Sequence, residues 1–107
     1  MMFVYTTLST EQEAKRISTV LIEKKLIACA NLFPIQSIYA WEGSVKEEPE
    51  YVVLMKTTSE RAEDAKAELE KIHPYEVPCI CLIPADSTKP FAGWLLQATA
   101  HTRTSDR

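Results

Sequence analysis

The stretch that decides the fold is Ala28-Cys29-Ala30-Asn31-Leu32-Phe33-Pro34-Ile35-Gln36-Ser37-Ile38-Tyr39-Ala40-Trp41-Glu42-Gly43-Ser44. Here the apolar period changes from about 3.6 residues to 2. Phe33, Ile35, Tyr39 and Trp41 fall on one side of an extended chain, and Leu32, Ile38 and Ala40 on the other, so a long strand is expected from Ala28 to Trp41. Pro34 inside it cannot donate a ladder hydrogen bond, which requires a bulge or a sheet edge there. Glu42-Gly43-Ser44 supplies a turn, with Gly43 free to take positive φ, and Tyr51 to Thr58 forms the returning strand. The two make a central β-hairpin.

Outward from the hairpin, each flank reads as a strand and a helix. Met2 to Leu8 is rich in β-branched and aromatic residues and is expected to be a strand. Ser9 with Gln12, and Thr10 with Glu13, each form a capping-box pattern, after which Ala14, Ile17 and Leu21 recur at helical spacing to about Lys25. On the other flank Ser59 caps a helix carrying Ala62, Ala65, Leu69 and Ile72 until Pro74 stops it. A fourth strand follows from Glu76 to Pro84, then a short helix from Phe91 to Leu96. The polar end, residues 102–107, is expected to be mobile, leaving one domain over residues 1–101.

The order is βαββαβ plus a terminal helix, an α+β ferredoxin-like arrangement in which two helices cover one face of an antiparallel sheet. Such a sheet alternates apolar and polar residues when its other face is wet. Val52, Val53, Leu54 and Met55 break that rule, as do Val77, Ile80, Leu82 and Ile83. An apolar face of that extent needs a cover, and another copy of the same sheet is the expected one.

Composition narrows the function. The 107 residues are 46% hydrophobic and 25% charged with net charge -3, so no basic field exists to attract a nucleic acid, and none is expected as a partner. No apolar run approaches the roughly 18 residues of a membrane span, and no signal-peptide pattern opens the chain, so no membrane partner is expected. Three cysteines, Cys29, Cys79 and Cys81, are an odd number better read as reduced thiols than as a disulfide framework, which points to the cytosol.

Enzymatic signatures are missing, and no turnover is expected. Two glycines cannot build a phosphate loop, and the two histidines, His73 and His101, come with no nucleophile and orienting acid in pattern. The most distinctive segment is His73-Pro74-Tyr75-Glu76-Val77-Pro78, where two prolines hold His, Tyr and Glu at fixed angles. His73 either complements the negative end of its helix with Tyr75 packed beneath, or binds a metal or small ligand together with Cys79, imidazole and thiolate both being ligands for zinc or copper. Cys79 and Cys81 point to one side of their strand, as a soft-cation pair or as small core residues. Glu47, Glu48 and Glu50 read most simply as a solvated turn, with a cation site as the alternative. Lys56 and Thr57, with Tyr39 and Trp41 across the hairpin, form either an anion or metabolite pocket or an interface anchor.

Taken together, Ala28-Cys29-Ala30-Asn31, Ser37-Ile38-Tyr39-Ala40-Trp41-Glu42-Gly43, Lys56-Thr57 and His73-Pro74-Tyr75-Glu76-Val77-Pro78 resemble the CutA family of divalent-cation tolerance proteins over nearly the whole chain. The resemblance implies a tight homotrimer in which long hairpins reach between subunits, similar to the PII-type signalling proteins. It also implies a link to copper and other divalent cations, and mammalian relatives are associated with anchoring of acetylcholinesterase. Copper-binding members look to have a Cys where this chain has Tyr5, and many have a Glu where it has Cys79, so of that ligand set only His73 is matched. The metal candidates are therefore His73 and Cys79, with copper or zinc as the cation. Cys29, Asn31, Tyr39, Trp41, Lys56, Thr57, Tyr75 and Glu76 are candidates for ligand binding or subunit contact. A PII-like trimer binding a metabolite or partner protein at subunit clefts is the alternative to metal tolerance.

Overall fold

The structure is a computed structural model and describes residues 1–100; His101 and the tail 102–107 lie outside the described residues. In chain order the elements are β1 (Met2–Leu8), α1 (Glu11–Glu23), β2 (Cys29–Trp41), β3 (Ser44–Thr57), α2 (Ser59–Ile72), β4 (Ile80–Pro84) and α3 (Lys89–Ala98). The strands form one antiparallel sheet in the order β2-β3-β1-β4, which is the expected ferredoxin-like topology.

α1 and α2 begin where hydroxyl side chains satisfy one of their first free amides. Thr10 accepts from the Glu13 N–H at 3.1 Å, and Thr58, not Ser59, accepts from the Arg61 N–H at 3.2 Å. The expected Ser59 cap is thus one residue late. Ala14, Ile17 and Leu21 of α1, with Ala65 and Leu69 of α2, bury against Val4, Leu8, Val53 and Met55 on one face of the sheet. These residues are fully enclosed, and at about 25 cal/mol per Å² their burial dominates the stability of the domain.

Two strand boundaries differ from expectation. β3 starts at Ser44 instead of Tyr51, so Glu47, Glu48 and Glu50 lie in a strand and not in a turn. The reason is the partner: β2 is 13 residues long and its register with β3 is unbroken from Cys29↔Lys56 to Trp41↔Ser44. Cross-strand pairing overrides the poor strand propensity of the acidic run. The turn is only Glu42 and Gly43, both at positive φ (49° and 80°), the conformation that matches the twist of a tight hairpin. Pro34 stands opposite Tyr51 with no bulge, because β2 is a sheet edge. β4, conversely, starts at Ile80 and not at Glu76, since Pro74 and Pro78 keep the link out of the ladder.

Beyond Ile35 and Glu50 the hairpin runs past the rest of the sheet as an arm. The molecule accordingly measures 50 × 33 × 21 Å. On one side of the arm Ile38 and Val45 are 68% and 75% exposed, and on the other Tyr39 and Trp41 are 37% and 38% exposed. The sheet face opposite the helices carries Phe3, Tyr5, Phe33, Ile35, Leu54 and Ile83, none of them fully buried. Among the described residues, no helix is long and apolar enough to cross a membrane.

Candidate functional site

The link from α2 to β4 is tied down by His73. Its N–H continues the helix to the Leu69 carbonyl, while its ring is 8% exposed and faces β1. The Tyr75 N–H donates to Nδ1 at 3.1 Å, so Nδ1 is the unprotonated nitrogen. Nε2 then carries the proton and donates to the Thr7 carbonyl at 2.9 Å, with Thr6 Oγ1 at 3.0 Å. The Thr6 hydroxyl donates onward to the Cys79 carbonyl at 2.6 Å, closing the two ends of the link onto one strand. Burial pushes the His73 pKa below 6.5, which agrees with a neutral ring whose two nitrogens are both used.

The Tyr75 ring meets that imidazole edge-on at 4.7 Å between centroids, and its hydroxyl reaches across to donate to Glu50 Oε2 at 2.6 Å. On the arm the Tyr39 hydroxyl donates to Glu48 in the same manner. Loss of water, and then the hydrogen bond to Glu50, push the Tyr75 hydroxyl far above its ordinary pKa. Between link and arm, on the open face of the sheet, lies a cleft of about 680 Å³. Its apolar walls are the rings of Tyr5, Tyr39, Trp41 and Tyr75, and its acids are Glu48, Glu50 and Glu76. Cys79 lies at its border, with its sulfur 3.9 Å from that of Cys81. Loss of water and the neighbouring Cys81 raise the Cys79 pKa, holding it as a thiol at neutral pH.

The structure therefore gathers Tyr39, Trp41, Tyr75, Glu76 and Cys79 into one place, and separates the rest of the sequence-derived candidates from it. Lys56 and Thr57 do not join Tyr39 and Trp41 in a pocket. Lys56 pairs with Cys29, ten positions down β2 from Tyr39, roughly 33 Å away at strand spacing. Its ammonium lies 5.9 Å from the Phe91 ring of α3, and the buried Thr57 hydroxyl donates to the Leu26 carbonyl. Cys29 and Asn31 belong to that same distant end of the hairpin.

His73 presents no free nitrogen to a metal, because Tyr75 and Thr7 occupy both. Among the described residues no three His, Cys, Asp or Glu side chains converge as a metal centre. The donors available for a copper or zinc ion are the two thiols of Cys79 and Cys81. Sequence reasoning did not place Tyr5 in this cleft, and read Glu48 and Glu50 as a turn and not as strand residues facing the link. The signal for the two acids was present: a tight turn at Gly43 obliges the return strand to start at once, and Glu48 and Glu50 then continue the alternation of Val52 and Leu54.

A search of family models matches residues 2–98 to the CutA1 divalent ion tolerance protein family. The chain belongs to the CutA1 family. The divalent-cation tolerance protein CutA of Archaeoglobus fulgidus is 42% identical over 94 residues, covering 87% of this chain and 92% of its own. Human protein CutA is 35% identical over 97 residues, which is 89% of this chain and 54% of the human one. Among solved structures, CutA1 from Pyrococcus horikoshii superposes with a TM-score of 0.91 at 33% identity, covering 94% and 100% of the two chains. The PII-like protein CutA from Nostoc, in apo form, gives 0.87 at 32% identity over 92% and 97%. CutA1 membership bears out the fold and the PII-like resemblance. The family description and the name of the Archaeoglobus fulgidus relative speak of tolerance to divalent cations and name no reaction. One solved Archaeoglobus fulgidus homologue is described as periplasmic.

Proposed function

We propose that this CutA1 protein is a cytosolic, non-catalytic homotrimer of PII-like type that holds a small ligand at a subunit junction, where the cleft between arm and link of one copy meets its neighbour. The observation that carries this reading is the construction of the cleft. Two segments far apart in the chain are joined across it by the Tyr75–Glu50 hydrogen bond and are lined by four aromatic rings. A cavity of this size lies within the usual range for small-molecule sites, roughly 300–1,000 Å³. Assembly is supported by the apolar open face and by an arm that is exposed on both sides, surfaces that a second and third copy would cover. Reduced cysteines support the cytosol.

The mass in solution at micromolar concentration tests the trimer; a monomer overturns it. Thermal shifts with a panel of metabolites test the cleft, with Trp41→Ala as the control that must abolish any shift.

A second reading has one observation of its own, the Cys79 and Cys81 sulfurs 3.9 Å apart. Soft thiols at that separation suit Cu(I) better than a hard cation. His73 would join them only by surrendering its bonds to Tyr75 and Thr7. Calorimetric titration with Cu(I), Cu(II) and Zn(II) separates the cases: Cys79→Ser abolishes the heat if the thiols bind, and His73→Ala leaves it unchanged.

A further inference from the structure

We propose that the link between α2 and β4 is a proton-operated latch, fastened while the His73 ring is neutral and released over residues 75–78 when the ring takes up a second proton. The latch lies within one chain and does not depend on what the cleft holds.

The link has little else to fasten it. Among the described residues, no backbone–backbone hydrogen bond reaches residues 74–79, and Pro74 and Pro78 have no N–H to offer. The bonds that tie it to the sheet involve side chains: the Tyr75 N–H to His73 Nδ1, the Tyr75 hydroxyl to Glu50, and the Thr6 hydroxyl to the Cys79 carbonyl. Only the first runs through an imidazole.

That ring can accept in one state only. Nδ1 accepts from the Tyr75 N–H at 3.1 Å, while the opposite nitrogen, Nε2, donates to the Thr7 carbonyl at 2.9 Å. Imidazolium carries a hydrogen on both nitrogens and has no lone pair left. A second proton therefore keeps the Thr7 bond, strengthened by charge, and sets two hydrogens against each other at Nδ1. The asymmetry decides what moves: the ring stays on β1 and the Tyr75 amide leaves. Thr6 holds the Cys79 carbonyl in both states, so the loosened stretch ends at Pro78.

The ionisable groups facing the ring are Glu13 of α1, Glu50 of β3 and the Tyr75 phenol of the link, while β1 contributes uncharged Thr6 and Thr7. Among the described residues, no carboxylate lies within 4.0 Å of either ring nitrogen. Burial opposes the second proton more strongly than Glu50 and Glu13 favour it. The latch is thus closed at neutral pH and opens as pH falls through a folded value below 6.5.

The test follows the full chain in its assembled form by NMR from about pH 7.5 to 5, observing the His73 ring and the backbone amides together. The expected result is that protection of the Tyr75 amide against hydrogen exchange, corrected for the intrinsic rate, falls about tenfold as the ring titrates. The core amides of Val4, Val53 and Met55 keep their protection. His73→Asn puts an amide oxygen near the Nδ1 position, where it accepts the Tyr75 N–H without titrating, and should hold Tyr75 protection flat. Glu50→Gln still accepts the Tyr75 hydroxyl and should leave the parent transition in place.

A ring that gains its second proton while the Tyr75 amide stays protected overturns the latch. Loss of the core amides together with Tyr75 also overturns it, as unfolding of the whole domain, and so does a ring that stays neutral throughout. These outcomes are read on the parent chain and need no variant to fold. A transition that persists in folded His73→Asn, or vanishes in Glu50→Gln, assigns it to another group and overturns the latch as well.

Discussion

One face of this sheet is finished and the other is not. Val4, Leu8, Val53 and Met55, turned towards α1 and α2, have no exposed surface at all. On the opposite face Phe33 and Ile83 are each 43% exposed. The residue types are alike; what differs is whether this chain brings its own cover. Apolar side chains were placed on the open face as freely as on the closed one, and the difference teaches that the closed face records how one copy folds while the open face records what the copy meets.

The largest effect that could break this contrast lies in the core. Leu69→Ala, at a fully buried site of α2, is expected to cost about 3 kcal/mol in urea unfolding. Ile83→Ala on the open face should cost under about 1 kcal/mol at dilutions where copies separate, and should instead raise the concentration needed for assembly. Equal costs for the two under those conditions would erase the distinction.

Next is the tie between the faces. His73→Ala strands the Tyr75 N–H and the Thr7 carbonyl and is expected to cost about 2 kcal/mol. The same residue sets a pH dependence. Burial lowers its folded pKa below 6.5, so on acidification the unfolded chain takes up the proton first. The contribution is fully present above pH 6.5 and is lost as pH falls through the depressed folded value. Denaturation midpoints measured downward from pH 7 should decline in the parent, and that part of the slope should vanish in His73→Asn.

A smaller loss is expected at the arm tip. Gly43 has φ 80° and open space around it, so Gly43→Val meets no neighbour and costs only backbone strain, about 1–2 kcal/mol. If the arm joins copies, the variant should also shift the dissociation midpoint. Thr10→Ala removes the α1 cap for about 1 kcal/mol or less, without changing the mass in solution, and so touches neither the core nor the assembly.

Where local periodicity decides structure, the sequence was legible. The order of elements, the fold class and the two-sided apolar strands all follow from residues within one element of each other. The length of β3 was harder to see, because Glu47-Glu48-Pro49-Glu50 has no strand character of its own and is extended only by its partner across the turn. Half of the cleft was visible for the same reason. Tyr75, Glu76 and Cys79 belong to one conspicuous segment, and Tyr39 and Trp41 to another, whereas Tyr5, Glu48 and Glu50 enter through strand register. Register also sets Lys56 and Thr57 far from Tyr39 within one chain, although they look adjacent until the hairpin is counted out pair by pair.

That count has a last consequence, carried by two prolines. Pro34 pairs with Tyr51 and Pro49 with Gln36, two steps apart and therefore of the same pair type in an antiparallel ladder. Proline survives there only where its nitrogen points away from the partner strand. Pro34 thus turns its missing donor to the outer edge of β2, and Pro49 to the opposite edge of the arm, past the point where β1 ends at Leu8↔Tyr51. The hairpin thus carries one gap on each rim, at the base of the arm on the β2 side and on the arm itself on the β3 side, so a foreign strand finds an interrupted template on either side. A long, double-edged hairpin is the kind of element that seeds fibres, and these two gaps weaken it as a template for edge-to-edge stacking.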